Sequence, residues 1–184
     1  LSGVEALFEK AAGNSMAGVA FIADKKKVYG LGIALEKEEV YYVPAEGILT
    51  GEYLCEKLRK LGETTVISAM DIKMLLKYVD SLKPGQVFDI EIGAYLLNPL
   101  KSSYTYEDIA REYIGGISIP SREELLGKDS YEKAWEKSSE NLGICACYQA
   151  FTAYAARERM EAELRETGMW QVYTDIELPL VFTL

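Results

Sequence analysis

The sequence predicts an α/β fold: a central mixed five-stranded sheet, three strands antiparallel and two parallel, flanked by helices. Three observations carry this. Three β-rich runs follow one another between residues 16 and 45, separated only by short charged breaks. After Thr50 the apolar period changes to that of a helix, and short apolar runs then alternate with helical patterns. Finally, 184 residues with 49% apolar and 27% charged content suit a single domain able to bury a sizeable core.

The elements follow in order. A short amphipathic helix is predicted from Val4 to Ala12. The stretch Met16–Ala45, broken at Lys25–Lys27 and Glu36–Glu39, reads as an antiparallel three-strand meander. Thr50 to Leu61 is helical, Thr64 to Ala69 is a fourth strand, and Asp71 to Val79 is a helix ending before the turn Lys83-Pro84-Gly85. Within VISAMDIKMLL, Ser68 and Asp71 form an S-x-x-D pair, so Ser68 is expected to cap the helix and Asp71 to sit in its first turn.

The run QVFDI, residues 86–90, is a fifth strand feeding a helix that contains GAYLLNP and stops at Asn98-Pro99. Thr105 caps a helix reaching Tyr113, and a loop passes through Gly115, Gly116 and Pro120. Ser130 to Glu166 is helical almost throughout, with Gly143 as the expected break. Thr167-Gly168 separates it from a last segment leading into IELPLVFTL. The order βββ-α-β-α-β-α-α implies a hairpin side and a parallel side in one sheet.

Composition excludes several functions. Twenty Lys and Arg against 29 Asp and Glu give a net charge of −9, which opposes non-specific binding to phosphate backbones. The basic clusters Lys25–Lys27 and Lys57/Arg59/Lys60 are short and read as solvated faces, while Tyr41, Tyr42, Tyr104, Tyr106 and Tyr113 read as half-buried packing residues instead of base-stacking platforms. The absence of histidine removes Ser-His-Asp triads, Cys-His dyads and His-ligated zinc. Cys55, Cys145 and Cys147 form no disulfide framework and read as reduced core residues, and no leader or membrane span is apparent, so a cytoplasmic location is expected. The chain begins without methionine and ends in the apolar ELPLVFTL, which predicts that it continues into something longer.

Specific stretches narrow the fold. FDIEIGAYLLNP, Phe88 to Pro99, resembles the FD-x(5)-YLLNP segment of the proofreading 3′–5′ exonuclease domain of bacterial family A DNA polymerases, the DNA polymerase I type. YEDIAREYIGG, Tyr106 to Gly116, resembles the segment that follows it, and IELPLVFTL resembles the helix that joins that domain to the polymerase domain. The resemblance implies a ribonuclease H-like fold over residues 1–184. Residues from about 169 to 184 would lead into a polymerase domain outside this sequence.

In that family four acids hold two divalent ions, which lie roughly 3.5–4 Å apart and stabilise the attacking and leaving oxygens of a phosphodiester. The resemblance places these acids in a D-x-E pair on the first strand, in N-x-x-x-D after the fourth strand, and in Tyr-x-x-x-Asp on a late helix. The first position falls on Ile22 and its partner on Asp24; a shift of register brings in Lys26 instead. Asp71 matches the second place, with Ile67 where Asn is expected. On the late helix the register puts Ile144 at the tyrosine and Tyr148 at the aspartate, and no Asp or Glu occurs from Asn141 to Arg157. Ile144, Tyr148, Phe151 and Ala155 are expected to share the face that packs on the sheet.

Loss of one electrostatic contributor commonly costs on the order of 10²–10³ in rate. The expectation is therefore a domain that keeps the fold but has lost proofreading, holds no metal, and supports a parent DNA polymerase in replication or repair. Its partners would be the polymerase domain of the same chain and, through the parent enzyme, DNA. Two rivals stand beside it. One is an active exonuclease with relocated ligands, Asp24, Asp71 and Asp89, around a single Mg²⁺; the other is a stand-alone interaction module. Asp89 reads more simply as a helix cap.

Overall fold

The computed structural model describes residues 1–183, so the last residue of the C-terminal segment, Leu184, lies outside the described residues. The meander forms as expected: β1 (Met16–Ala23), β2 (Val28–Glu36) and β3 (Glu39–Pro44) follow helix α1 (Ser2–Ala12). Next come α2 (Gly51–Leu61), β4 (Val66–Ala69), α3 (Ile72–Tyr78), β5 (Val87–Asp89) and α4 (Ile90–Leu97). The strand order is β3-β2-β1-β4-β5. β1 pairs antiparallel with β2 and parallel with β4, and β4 pairs parallel with β5. The sheet is thus mixed, with three antiparallel and two parallel strands, and the predicted fold class holds.

The chain continues through α5 (Tyr106–Tyr113), α6 (Arg122–Leu126), α7 (Tyr131–Lys137), α8 (Ser139–Ala155) and α9 (Arg157–Glu166). The last segment is α10 (Trp170–Val172), a π-helical turn at Tyr173–Glu177, and α11 (Leu178–Val181). Pro179 has no N–H to offer the carbonyl of residue 175, and the wide turn directly precedes it. Helix α6 was not anticipated, although its signal was present: Ser121 accepts the N–H of Glu124 at 3.0 Å, an S-x-x-E start. β4 begins later than expected because the N–H groups of Thr64 and Thr65 close the end of α2 on the Leu61 carbonyl.

The two sheet faces differ in residue size, which decides what covers each. Leu31, Ile33 and Leu35 of β2 join Leu54, Leu58 and Leu61 of α2 in one core cluster. The other face carries Gly18 and Ala20 on β1 with Gly32 and Ala34 on β2, and α8 lies close upon it. A Cβ on Gly18 would stand 2.6 Å from the Tyr154 nitrogen, and one on Gly32 would stand 2.5 Å from the Ala146 carbonyl oxygen. Helix and sheet therefore meet backbone to backbone.

This close approach overturns two expectations about α8. Gly143 does not break the helix, which runs unbroken from Ser139 to Ala155. A Cβ there would meet the Tyr42 ring of β3 at 2.8 Å, so the glycine clears space for a neighbouring side chain. Nor do Ile144, Tyr148, Phe151 and Ala155 form the core face. Ile144 is 38% exposed, and the buried positions are Leu142, Gly143 and Thr152 together with the small Cys145, Ala146, Ala150 and Ala153. Small residues win the sheet side because the glycines opposite bring the helix too near for large ones.

Candidate functional site

Of the positions singled out in the sequence, Ile22 and Asp24 lie at the end of β1. Ile22 is fully buried, belongs to the same packed cluster as Cys145, Ala146 and Ala150, and stands opposite Gly30 of β2. Asp24 follows it in the β1–β2 turn. Its Oδ1 accepts the N–H groups of Lys26 and Lys27 at 2.8 and 3.0 Å, and its Oδ2 accepts the Tyr29 hydroxyl at 2.6 Å. Burial disfavours the Asp24 carboxylate, but the Tyr29 hydroxyl and these N–H groups outweigh it and hold the carboxyl below its usual range.

Asp71 is exposed and starts α3, accepting the Met74 N–H at 3.3 Å. It sits in the left-handed region at φ 48°, where Asp is tolerated better than most side chains. Ser68, expected to cap this helix, lies inside β4 instead. It is fully buried and donates its hydroxyl to the Ala153 carbonyl of α8 at 2.7 Å. Asp71 takes the cap because α3 begins one residue after it.

Asp89 has the role that helix capping predicts, and a second one besides. Its Oδ1 accepts the N–H groups of Glu91 and Ile92 at 2.9 and 3.0 Å, while Oδ2 accepts the Ile72 N–H at 3.2 Å. One buried carboxyl thus closes the N-termini of α4 and α3 together. The Tyr173 hydroxyl accepts the Asp89 N–H at 2.7 Å and tethers the C-terminal segment to this junction. Burial pushes the Asp89 carboxyl up to about 6, opposed by its three N–H donors. Glu91 is pushed up to about 7 by burial and then by the charges of Asp89 and Asp71.

A raised carboxyl pKa means that the folded chain holds the proton more tightly than the unfolded chain. The stabilisation is complete below the ordinary carboxyl values near 4 and is lost as pH rises through about 6 and 7. Urea midpoints are accordingly expected to fall between pH 4.5 and 7.5. An Asp89→Asn, Glu91→Gln double variant should flatten that slope; an unchanged slope would refute the assignment.

On the late helix, Ile144 and Tyr148 line an open groove with Val40 and Phe151, and Tyr148 and Val40 also pack against the cluster that contains Ile22. The α8 residues buried within the Ile22 cluster are Leu142, Cys145, Ala146 and Ala150. Cys145 is buried there, and the Gln149 amide donates to Cys145 Sγ and to the Tyr131 hydroxyl, each at 3.4 Å. Cys145 and Gln149 keep the four-residue spacing that the sequence reading assigned to Ile144 and Tyr148. The signal that would have found them is the run of small residues at 146, 150 and 153, which marks the sheet side. The other two cysteines, Cys55 and Cys147, are half-buried, and all three are free.

Tyr29, whose hydroxyl binds Asp24, is itself packed by other side chains. The Trp135 ring of α7 packs on Tyr29 with centroids 6.1 Å apart, and Lys27 Nζ lies 5.0 Å from the Tyr29 ring and 5.6 Å from Trp135. Lys26 reaches Glu132 at 3.4 Å. Lys25, Lys26 and Lys27 are all exposed, as expected of a solvated face, with Lys26 and Lys27 making surface contacts to α7. Of the tyrosines read as half-buried, Tyr106 and Tyr113 are fully buried and Tyr41 is exposed.

Among the described residues, no group of three or more Cys, Asp and Glu side chains is disposed to hold a metal ion, and no helix is long and apolar enough to cross a membrane.

The architecture is that of the ribonuclease H-like exonuclease domains. The fold matches the POL domain of Pol1 from M. smegmatis, described in complex with DNA primer-template and dNTP, with a TM-score of 0.71 and 17% identity. That match covers 96% of this chain but 29% of the other. A nuclease in its apo form matches with a TM-score of 0.68 and 14% identity, over 95% of this chain and 86% of that one. The Aedes aegypti Nibbler EXO domain matches with a TM-score of 0.61 and 12% identity, over 97% and 90% of the respective chains. No protein-family profile matches the sequence, and no curated protein does. At these identities the likeness shows the fold.

Proposed function

We infer that this chain is a degenerate 3′–5′ exonuclease-like domain of a DNA polymerase of the DNA polymerase I type, cytoplasmic, without proofreading activity and serving as structural support. The observation that carries the reading is Ile22. It is fully buried among apolar neighbours where the first metal-binding acid would stand, and the α8 residues turned toward its cluster bring no carboxylate. The donor set does not fit two ions. Asp24 and Asp89 spend their oxygens on protein donors, the Tyr29 hydroxyl among them, and Asp71 caps a helix.

The fold neighbour from M. smegmatis supports a polymerase context, as do the three sequence segments from Phe88 onward. Ile176 and Leu180 of the C-terminal helical run remain 53% and 45% exposed, an apolar face suited to a following polymerase domain. DNA would then be met through the parent enzyme. The rival of a single Mg²⁺ held by Asp24, Asp71 and Asp89 is disfavoured by the burial of Asp89, whose carboxyl already bridges two helix ends.

Incubation with 3′-labelled single-stranded DNA and Mg²⁺ or Mn²⁺ is expected to release no mononucleotide, and calorimetric titration with Mn²⁺ to show no stoichiometric site. Metal-dependent release of mononucleotides that persists through purification would overturn the reading.

A further inference from the structure

The free edge of the sheet adjoins an apolar groove that the fold leaves open. β3 ends the strand order, so one side of it has no strand partner. Beside it Val40, Ile117, Ile119, Ile144, Tyr148 and Phe151 line an open groove of about 560 Å³. Ile117 and Ile144 are 37% and 38% exposed. An unpaired edge offers a row of backbone N–H and C=O groups, and a neighbouring apolar trough offers sites for alternate side chains. An extended segment satisfies both at once.

Charge sets the polarity of such a segment. Glu140 stands at the start of α8, at one end of the groove. Lys37 stands at the other. Val40 pairs with Ala34, Ala34 with Gly18, and Gly18 meets the backbone of Ala150 and Tyr154, which places the Lys37–Val40 turn beside the later half of α8. Neither charge is in an ion pair among the described residues. A second copy of the chain is a poor occupant, since each copy carries a net charge of −9 and the turn beside β3 adds Glu36, Glu38 and Glu39 from each.

We propose that β3 and the groove beside it form a docking site for an extended peptide of another protein. Its apolar side chains alternate, with a basic residue toward Glu140 and an acidic one toward Lys37. The peptide adds a sixth strand to the sheet, its backbone on β3 and every second side chain against α8. The proposal does not rest on the reading of Ile22 and Asp24, and its test fails or succeeds separately from the nuclease assay.

The test uses the 184-residue chain and a set of labelled peptides of about eight residues. Each carries Val, Ile or Phe at alternate positions with Thr between, and Lys and Glu at opposite ends in both orders. Binding is followed by fluorescence anisotropy and by hydrogen exchange. Members of the set are expected to bind and to slow exchange of amides within Val40–Val43. Ile144→Lys and Lys37→Glu, both surface changes, should each weaken binding about tenfold. Peptides N-methylated on the edge-pairing side should not bind. Failure of every peptide, binding that survives N-methylation, or β3 protection that grows with concentration of the chain alone would each overturn the proposal, the last by assigning the edge to a second copy.

Discussion

Asp89→Ala is expected to lower the stability of the domain by about 3–5 kcal/mol, among the largest effects of any single side chain here. The carboxyl is 3% exposed and accepts three backbone N–H groups, from Ile72 on α3 and from Glu91 and Ile92 on α4. Alanine leaves all three donors without a partner. Loss of an ordinary cap costs about 1 kcal/mol, but this residue serves two helices, and the groups it leaves are shielded from water.

Asp89→Asn separates the two roles. The amide oxygen of asparagine can still accept Glu91 and Ile92, while its NH₂ group meets the Ile72 N–H donor to donor. Asparagine should therefore cost less, about 1–3 kcal/mol, with the loss confined to α3. Urea unfolding measures the totals, and hydrogen exchange at Ile72 and Met74 against Glu91 and Ile92 measures the split. Equal loss at both helices in the asparagine variant would contradict the bridging role.

The second large effect is expected at the glycines under α8. Gly18→Ala and Gly32→Ala should each destabilise by about 3 kcal/mol, because the added methyl meets backbone atoms that cannot rotate away. Gly3→Ala is the control. Nothing lies within 4 Å of a Cβ at Gly3 inside α1, so this change should stabilise slightly, by about 0.5 kcal/mol. Unfolding midpoints that leave the two strand glycines indistinguishable from Gly3 would show that α8 and the sheet are not in the contact described.

Particular residues show what was legible in the sequence. The alternation GLGIAL in β2 is visible as a small face and a large face, and it marks a strand covered on both sides. Thr105 and Asp89 were readable as caps from the helical patterns that follow them, and both cap as expected. Ser68 misled because an S-x-x-D pair is a local signal. The hydroxyl instead answers the Ala153 carbonyl, 85 positions away along the chain. Gly143 misled in the same way, since propensity marks glycine as a helix breaker while the Tyr42 ring gives this glycine its reason to be there.

The sequence by itself determined the order of elements along the chain, the mixed sheet and the absence of a carboxylate between Asn141 and Arg157, because apolar period and residue type are properties of the chain. Tertiary structure decided which face of α8 meets the sheet, and so buried Cys145, Ala146 and Ala150 in the cluster of Ile22 while Ile144 stays exposed. The physical reason is distance. Gly18 and Gly32 bring the α8 backbone so near that only small residues fit against them; the small residues at 146, 150 and 153 mark that side within α8, but the glycines that set the distance lie on other elements.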